Sequence, residues 1–253
     1  MTRTFETEEF QLHSEGLRLP VSVAVPCRSG GPFPSVQIHH GGGGFEPIYA
    51  SMAAWLAERG TVGITLIHRG YPGADGEMEY GKGEVVDIGN LADEMRRRSY
   101  VDPARMGIMG YSRGAHNALL ALERFHCFRA GALWSPPTDM VDHVSVNPWI
   151  AEIVGGAPVE VPEEYRIRSS ILRTEEISCP LLLIHGERDE VIPVRHTLRL
   201  AEALRRQGKP HELRLFPEEG HVWTPEGFSR NWRLTVSFFE AQLGHGTGAS
   251  AED

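Results

Sequence analysis

Ser112 stands between two glycines in the stretch from Arg105 to Leu122, RMGIMGYSRGAHNALLAL, with an apolar run before it and a small-residue, helix-like run after it. A hydroxyl at such a joint fits a nucleophile on a sharp strand-to-helix turn, where the glycines leave room for the chain to reverse. The helix N-terminus that follows favours the negative charge that develops during attack on a carbonyl. Three further features fall after apolar, strand-like runs. LLLIHGERDEVIP leads into a loop with Asp189, and LRLFPEEGHVW places His221 after a short glycine-containing loop. SVQI runs into HHGGGG, where the lack of side chains lets backbone N–H groups approach a substrate closely.

These residue types make a coherent set for acyl transfer. A serine is a poor nucleophile until a base removes its proton. His221 is assigned as that base, and as the later acid for the leaving group, with Asp189 fixing the imidazole tautomer and stabilising its charged form. The chain has 12 histidines, and His221 is the one that follows the last strand in the required order. Glu187 and Glu190 flank Asp189 and compete with it for the role of the acid. His40 is expected to orient the glycine loop. His39, His68, His116 and His185 read as packed or hydrogen-bonded histidines, since no metal-binding spacing accompanies them. Phe45, Tyr71, Trp134, Trp149 and Trp223 are candidates to line a substrate pocket, with core packing as the alternative for each. The Arg113 side chain is expected to face solvent or to meet an anionic substrate.

The elements that must hold these groups follow from periodicity. TFETEEFQLHS and LRLPVSVAVP alternate apolar and polar residues around a glycine-bearing turn, and predict an antiparallel pair. From Pro34 short apolar runs alternate with helical segments as far as a C-terminal helix beginning near Pro225. This predicts a mostly parallel sheet covered on both faces, with reactive groups on loops at the strand C-terminal ends. The segment of about 136–178 is too long for an ordinary connection and is expected to fold as a small helical cap over that edge. Residues 1–243 are expected to form one domain, and 244–253 a disordered tail.

Composition narrows the partners. With 253 residues and 41% hydrophobic content the chain is long enough for one well-buried core. A formal charge of -9 argues against nucleic acid as a partner, and the basic run Arg96 to Arg98 reads as a solvated helix face. Cys27, Cys127 and Cys179 are an odd, widely spaced set that fits neither a disulfide framework nor a thiolate zinc site. With no signal-peptide-like or membrane-spanning run, the expectation is a cytoplasmic protein without a membrane partner.

The order Ser, Asp, His is that of α/β-hydrolases. The sequence resembles that superfamily, and within it is similar to the catalytic domain of the prolyl oligopeptidase group and to dienelactone hydrolase-like esterases. The likeness rests on YVDPARMGIMGYSRG, on HRGYPGADGEMEYGKG, and on CPLLLIHGERDEVIPVRHTLRLAEALRRQGKPHELRLFPEEGH. It implies an α/β-hydrolase fold, and an oxyanion hole built from the backbone N–H of Arg113 and that of Gly42 or Gly43. Peptidases of the group usually carry a further N-terminal domain that a chain of this length does not hold, and often a second glycine where Ala115 stands. The expected activity is therefore cleavage of carboxylic esters, or of thioesters or small amides, through an acyl-enzyme and without a cofactor. Its substrate would be a small-molecule ester or a short peptide. The alternatives are an acylaminoacyl- or dipeptidyl-type peptidase and a non-catalytic small-molecule receptor.

Overall fold

In the computed structural model, which describes residues 4–244, the chain begins as a β-hairpin. Strands β1 (Phe5–Ser14) and β2 (Leu17–Pro26) pair antiparallel, as their alternation predicts. Glu15 and Gly16 join them, both at positive φ, the turn geometry whose twist matches that of the flanking strands. β2 then pairs antiparallel with β4 (Val62–Leu66), and from there the sheet is parallel. It runs through β3 (Phe33–His39), β5 (Val101–Tyr111), β6 (Ala130–Trp134), β7 (Leu181–Gly186) and β8 (His211–Phe216), in the order β1-β2-β4-β3-β5-β6-β7-β8. The central strands are buried along almost their whole length and read as near-continuous apolar runs, because helices cover both faces.

One face packs under α2 (Gly83–Met95), α3 (Arg113–Arg124) and α7 (Arg195–Arg206), through residues such as Ile88, Leu91, Leu119 and Leu204. The other packs under α1 (Pro47–Glu58) and α8 (Pro225–Leu243), through Met52, Leu56, Val236 and Phe239. β3 and β5 are neighbours whose chains leave to opposite faces, β3 into α1 and β5 into α3. The crevice where such a parting occurs lies at the strand C-terminal ends, so the glycine loop and Ser112 face each other across it.

The segment after β6 is helical, as expected, with α4 (Met140–Val146), α5 (Ile150–Val154) and α6 (Pro162–Ile167). Asp139 caps α4 by accepting from the N–H groups of Val141 and Asp142. A small apolar cluster of Met140, Val144, Ile150, Val154 and Tyr165 closes on Tyr80, which belongs to the β4–α2 loop. Arg168, with its side chain 3% exposed, ties the two together. It donates to the carbonyls of Glu79, Tyr80 and Glu164 and pairs with the Glu164 carboxylate. The basic run Arg96 to Arg98 is not wholly a solvated face. Arg98 reaches β1, pairing with Glu8 and lying over the Phe10 ring, in addition to pairing with Glu94 one turn earlier.

The tail expected to be disordered lies, beyond Gly244, outside the described residues. Among the described residues no helix is long and apolar enough to cross a membrane, and no cluster of three His, Cys, Asp or Glu residues is arranged to hold a metal ion.

The β4–α2 loop is organised by charge. Arg69 meets Glu15, Glu79 and the fully buried Asp87. Glu84, also fully buried, accepts from four backbone N–H groups: Glu79 and Tyr80 on Oε1, Gly81 and Lys82 on Oε2. A neutral amide at this position turns one acceptor into a donor that faces two N–H groups. Glu84→Gln is therefore expected to destabilise the fold by about 2–5 kcal/mol, from unmade buried hydrogen bonds, as read by urea unfolding. A change below about 0.5 kcal/mol, the scale of ordinary surface substitutions, contradicts this account of the loop.

Candidate active site

Ser112 sits at φ 57° and ψ -122°, a left-handed conformation that a serine adopts only when its surroundings impose it. The surroundings are backbone. A Cβ on Gly110 would lie 2.2 Å from the Gly114 carbonyl oxygen, and one on Gly114 would lie 2.1 Å from the carbonyl oxygen of His39. The first turn of α3 therefore rests on the ends of both β5 and β3, and glycine is required at both positions. The Ser112 N–H donates to the carbonyl of Trp134 at 2.8 Å, which fixes the turn to β6.

Three side chains from three strand ends form one hydrogen-bonded line. Ser112 Oγ lies 2.9 Å from His221 Nε2, and His221 Nδ1 lies 2.8 Å from Asp189 Oδ2. Asp189 Oδ1 accepts from the N–H groups of Val191 and Ile192, leaving Oδ2 to the imidazole. Burial alone would raise the Asp189 carboxyl. Hydrogen bonds from His185, His221 and Ile192 outweigh it and hold the group well below the ordinary carboxylate range. The flanking Glu187 and Glu190 are exposed and take no part. The loops that carry the acid and the base are docked together. A Cβ on Gly186 would meet the Glu219 carbonyl oxygen at 2.4 Å, and the Arg188 N–H donates to that same oxygen.

The glycine loop is held from behind. His40 Nε2 accepts from the His68 N–H, so its proton is on Nδ1, which donates to the Gly41 carbonyl at 2.9 Å. Burial pushes the His40 imidazole down to about 4, the Gly41 hydrogen bond opposing it, so His40 stays neutral as this pattern requires. The Tyr71 hydroxyl donates to the Gly42 carbonyl at 2.8 Å, and the Arg113 guanidinium donates to that hydroxyl while lying over the Tyr71 ring. In a trans peptide the N–H points away from the C=O. Anchoring the carbonyls of Gly41 and Gly42 therefore turns the N–H groups of Gly42 and Gly43 the other way. Both glycines line the cavity that contains Ser112. The Arg113 N–H opens α3, where no intrahelical acceptor exists for it. The arrangement is able to polarise a hydroxyl and to receive an oxyanion beside it.

That cavity, of about 280 Å³, is closed on the cap side by Tyr80, His143 and Trp149. The Tyr80 hydroxyl meets His143 Nε2 at 2.8 Å. Of the five aromatic residues proposed to line a substrate pocket, Trp149 does so beside Ser112. Phe45 lies by the β1–β2 hairpin against Tyr49, and Tyr71 is the loop support just described. Trp134 and Trp223 line an adjoining cavity, with Trp134 almost wholly buried and its Nε1 donating to Thr235. The Arg113 side chain does not face solvent. It is 3% exposed and serves the loop.

Two supports escaped the sequence reading. Tyr111 stacks on the His221 ring at 5.2 Å and donates to the His221 carbonyl at 2.6 Å. His185, fully buried, places Nε2 3.3 Å from Asp189 Oδ2. His185 lies four residues before the acid, a local signal open to notice. Nothing local links Tyr111 to His221.

With this geometry in view, comparison with known proteins is informative. The sequence profile of the prolyl oligopeptidase family matches residues 48–246. The chain is 26% identical over 218 residues to the uncharacterized peptidase YtmA of Bacillus subtilis, covering 84% of this chain and 85% of that one. It is 32% identical over 182 residues to dipeptidyl-peptidase 5 of Porphyromonas endodontalis, covering 66% of this chain and 26% of that one. A solved puromycin-hydrolyzing peptidase of Mycobacterium tuberculosis superposes with a TM-score of 0.87 at 22% identity, over 98% of this chain and 41% of that one, and shares its fold. A serine hydrolase of a peptidase family is thereby supported, and the expected ester specificity is not. A chain of this length is compatible with the name peptidase, since the relative from Bacillus subtilis that bears it is matched over 85% of its own length.

The support of the glycine loop has a measurable consequence. Tyr71→Phe keeps the ring under Arg113 and removes the hydroxyl that anchors the Gly42 carbonyl. It is expected to lower kcat on the order of tenfold, less than the 10² or more lost with an oxyanion donor itself, with KM nearly unchanged and a lowered unfolding midpoint, because the buried Arg113 guanidinium loses its hydroxyl acceptor. An unaltered kcat shows that the loop holds its orientation without Tyr71.

Proposed function

The chain belongs to the prolyl oligopeptidase family, and on that premise we propose that it is a serine peptidase of acylaminoacyl or dipeptidyl type, cleaving short peptides through an acyl-enzyme. The observation that carries the proposal is the unbroken line from Ser112 Oγ through His221 to Asp189 Oδ2, at 2.9 and 2.8 Å. The names of relatives such as dipeptidyl-peptidase 5 support a peptide substrate over a simple ester.

In the proposed reaction Ser112 Oγ attacks the scissile carbonyl carbon as its proton passes to His221 Nε2. Asp189 accepts the Nδ1 proton in a hydrogen bond and stabilises the imidazolium without taking the proton. The oxyanion is met by the N–H of Arg113 and that of Gly42 or Gly43, each donor being worth about 3 kcal/mol of transition-state stabilisation. The C–N bond breaks as His221 returns the proton to the leaving amine. Water, deprotonated by the same imidazole, then releases the acyl group and restores Ser112.

A fluorophosphonate probe is expected to label the wild type at Ser112 and to leave Ser112→Ala unlabelled. In a screen of N-acyl dipeptides, tripeptides, dipeptidyl amides and aryl esters, turnover confined to the esters rules out the peptidase reading. Asp189→Asn removes the charge behind the imidazole and should cost about 10⁴ in kcat, whereas Glu187→Gln and Glu190→Gln change it little. The pH profile follows from the same charges. The Asp189 carboxyl, depressed by its hydrogen bonds, stays ionised through the range where an ordinary carboxylate would protonate. Asp189 therefore adds no proton of its own to the acid limb of the profile. A two-proton acid limb in kcat/KM contradicts this assignment.

A further inference from the structure

Two cavities meet beside the nucleophile. The first, of about 280 Å³, contains Ser112 and is walled by the cap. The second, of about 340 Å³, lies beyond Tyr111 and is lined by Ile48, Tyr49, Met52, Trp134, Trp223 and Phe228. Glu46, Tyr111 and Val222 line both, so three side chains form the divide. We infer that the second cavity is the leaving-group subsite, taking a large apolar or aromatic side chain from the residue that departs as the amine. The inference rests on the peptidase reading above.

Proton transfer decides the side. The imidazole returns its proton to the departing nitrogen, so the leaving group must stand next to His221 Nε2 at the moment of cleavage. The imidazole itself lines the first cavity, and it is flanked by residues of the second cavity. The wall of the second includes Tyr111, stacked on the His221 ring, and Val222 and Trp223, the two residues after His221. The cap side of the first cavity, with Tyr80, His143 and Trp149, is left for the acyl portion.

Chemistry decides the occupant. The lining is aromatic and aliphatic, and burial of a side chain there is favourable in proportion to the apolar area removed from water. The sign of charge is also set. Glu46 is exposed at the divide and forms no ion pair among the described residues. A free carboxylate on the residue after the scissile bond would face it with like charge. The preferred leaving group is thus an apolar residue whose carboxyl is amidated or continues as peptide.

The test uses four peptides that share the acyl portion, an N-acylated residue or a dipeptide, best cleaved in the screen above, with leaving residues Gly-amide, Leu-amide, Phe-amide and Phe with a free carboxylate. In the wild type, kcat/KM for Phe-amide should exceed that for Gly-amide by about tenfold or more, as burial of a large apolar side chain predicts. Ile48→Trp fills the cavity and Trp223→Ala removes part of its wall. Each should bring the ratio of Phe-amide to Gly-amide within about twofold, every variant serving as its own reference. Glu46→Gln should narrow the gap between Phe-amide and free Phe. A wild-type ratio near one, or a ratio that survives both cavity variants, overturns the subsite and leaves the hydrolase standing. Failure to turn over any of the four removes the peptidase reading, and the subsite with it.

Discussion

Backbone resting on backbone at Gly110 and Gly114 governs the rest of the site. With no side chain between them, the first turn of α3 settles onto the ends of β5 and β3 at distances that a single Cβ would forbid. That contact holds Ser112 in its left-handed conformation and raises its hydroxyl above the sheet. It also brings the opening N–H of α3 to the same side of the crevice as the glycine loop, whose preceding residues His39 and His40 are the ones Gly114 touches. Nucleophile and oxyanion donors thus share one contact. A third close approach, Gly186 on Glu219, does the same for the acid and the base. The site is two rigid pairs set facing each other by the parallel sheet.

Charge is arranged to leave one mobile proton among these groups. His39, His40, His116 and His143 are all buried, and burial pushes their imidazoles down to between about 3 and about 4, so they act as neutral hydrogen-bonding or packing groups. Arg113 is spent on Tyr71, and Arg69 on Glu15, Glu79 and Asp87. Asp189 is fixed as an anion. His221, with its side chain 14% exposed, is where a proton is able to arrive and leave.

Much of this was legible in the chain because it depends on local order. Strands that end in glycine, histidine or aspartate loops, read against an alternation of strand and helix, placed Ser112, Asp189, His221 and the glycine loop at one edge of a mostly parallel sheet. Side-chain direction at a strand end was harder to read. Trp134 and Tyr111 end neighbouring strands, yet the first runs into the core toward Thr235 and the second turns onto His221. Proximity to the edge does not distinguish lining from packing, so the sequence groups Phe45, which packs on Tyr49, and Tyr71, which supports the glycine loop, with Trp149, which lines the cavity of Ser112. Arg113 misled for a related reason. A charged residue beside the nucleophile reads as exposed, but an aromatic face and a hydroxyl supplied from the β4–α2 loop make its burial favourable.

The cap has a consequence of another kind. The chain completes the nucleophile and the glycine loop before entering residues 136–178, and supplies acid and base only after leaving them, so this segment contributes a wall to the cavity and none of the hydrogen-bonded line. Its attachments reach several elements, among them Arg168 on the β4–α2 loop, Arg173 on Glu123 of α3, and Asp142 on Arg195 and Arg199 of α7. Between them Gly155 and Gly156 make a bend at positive φ, and the nearby Val159 is largely solvent-exposed. Insertions and deletions at that bend meet little packing resistance and do not disturb the elbow. Descendants of this chain are free to diverge in what they recognise while inheriting the same cleavage machinery.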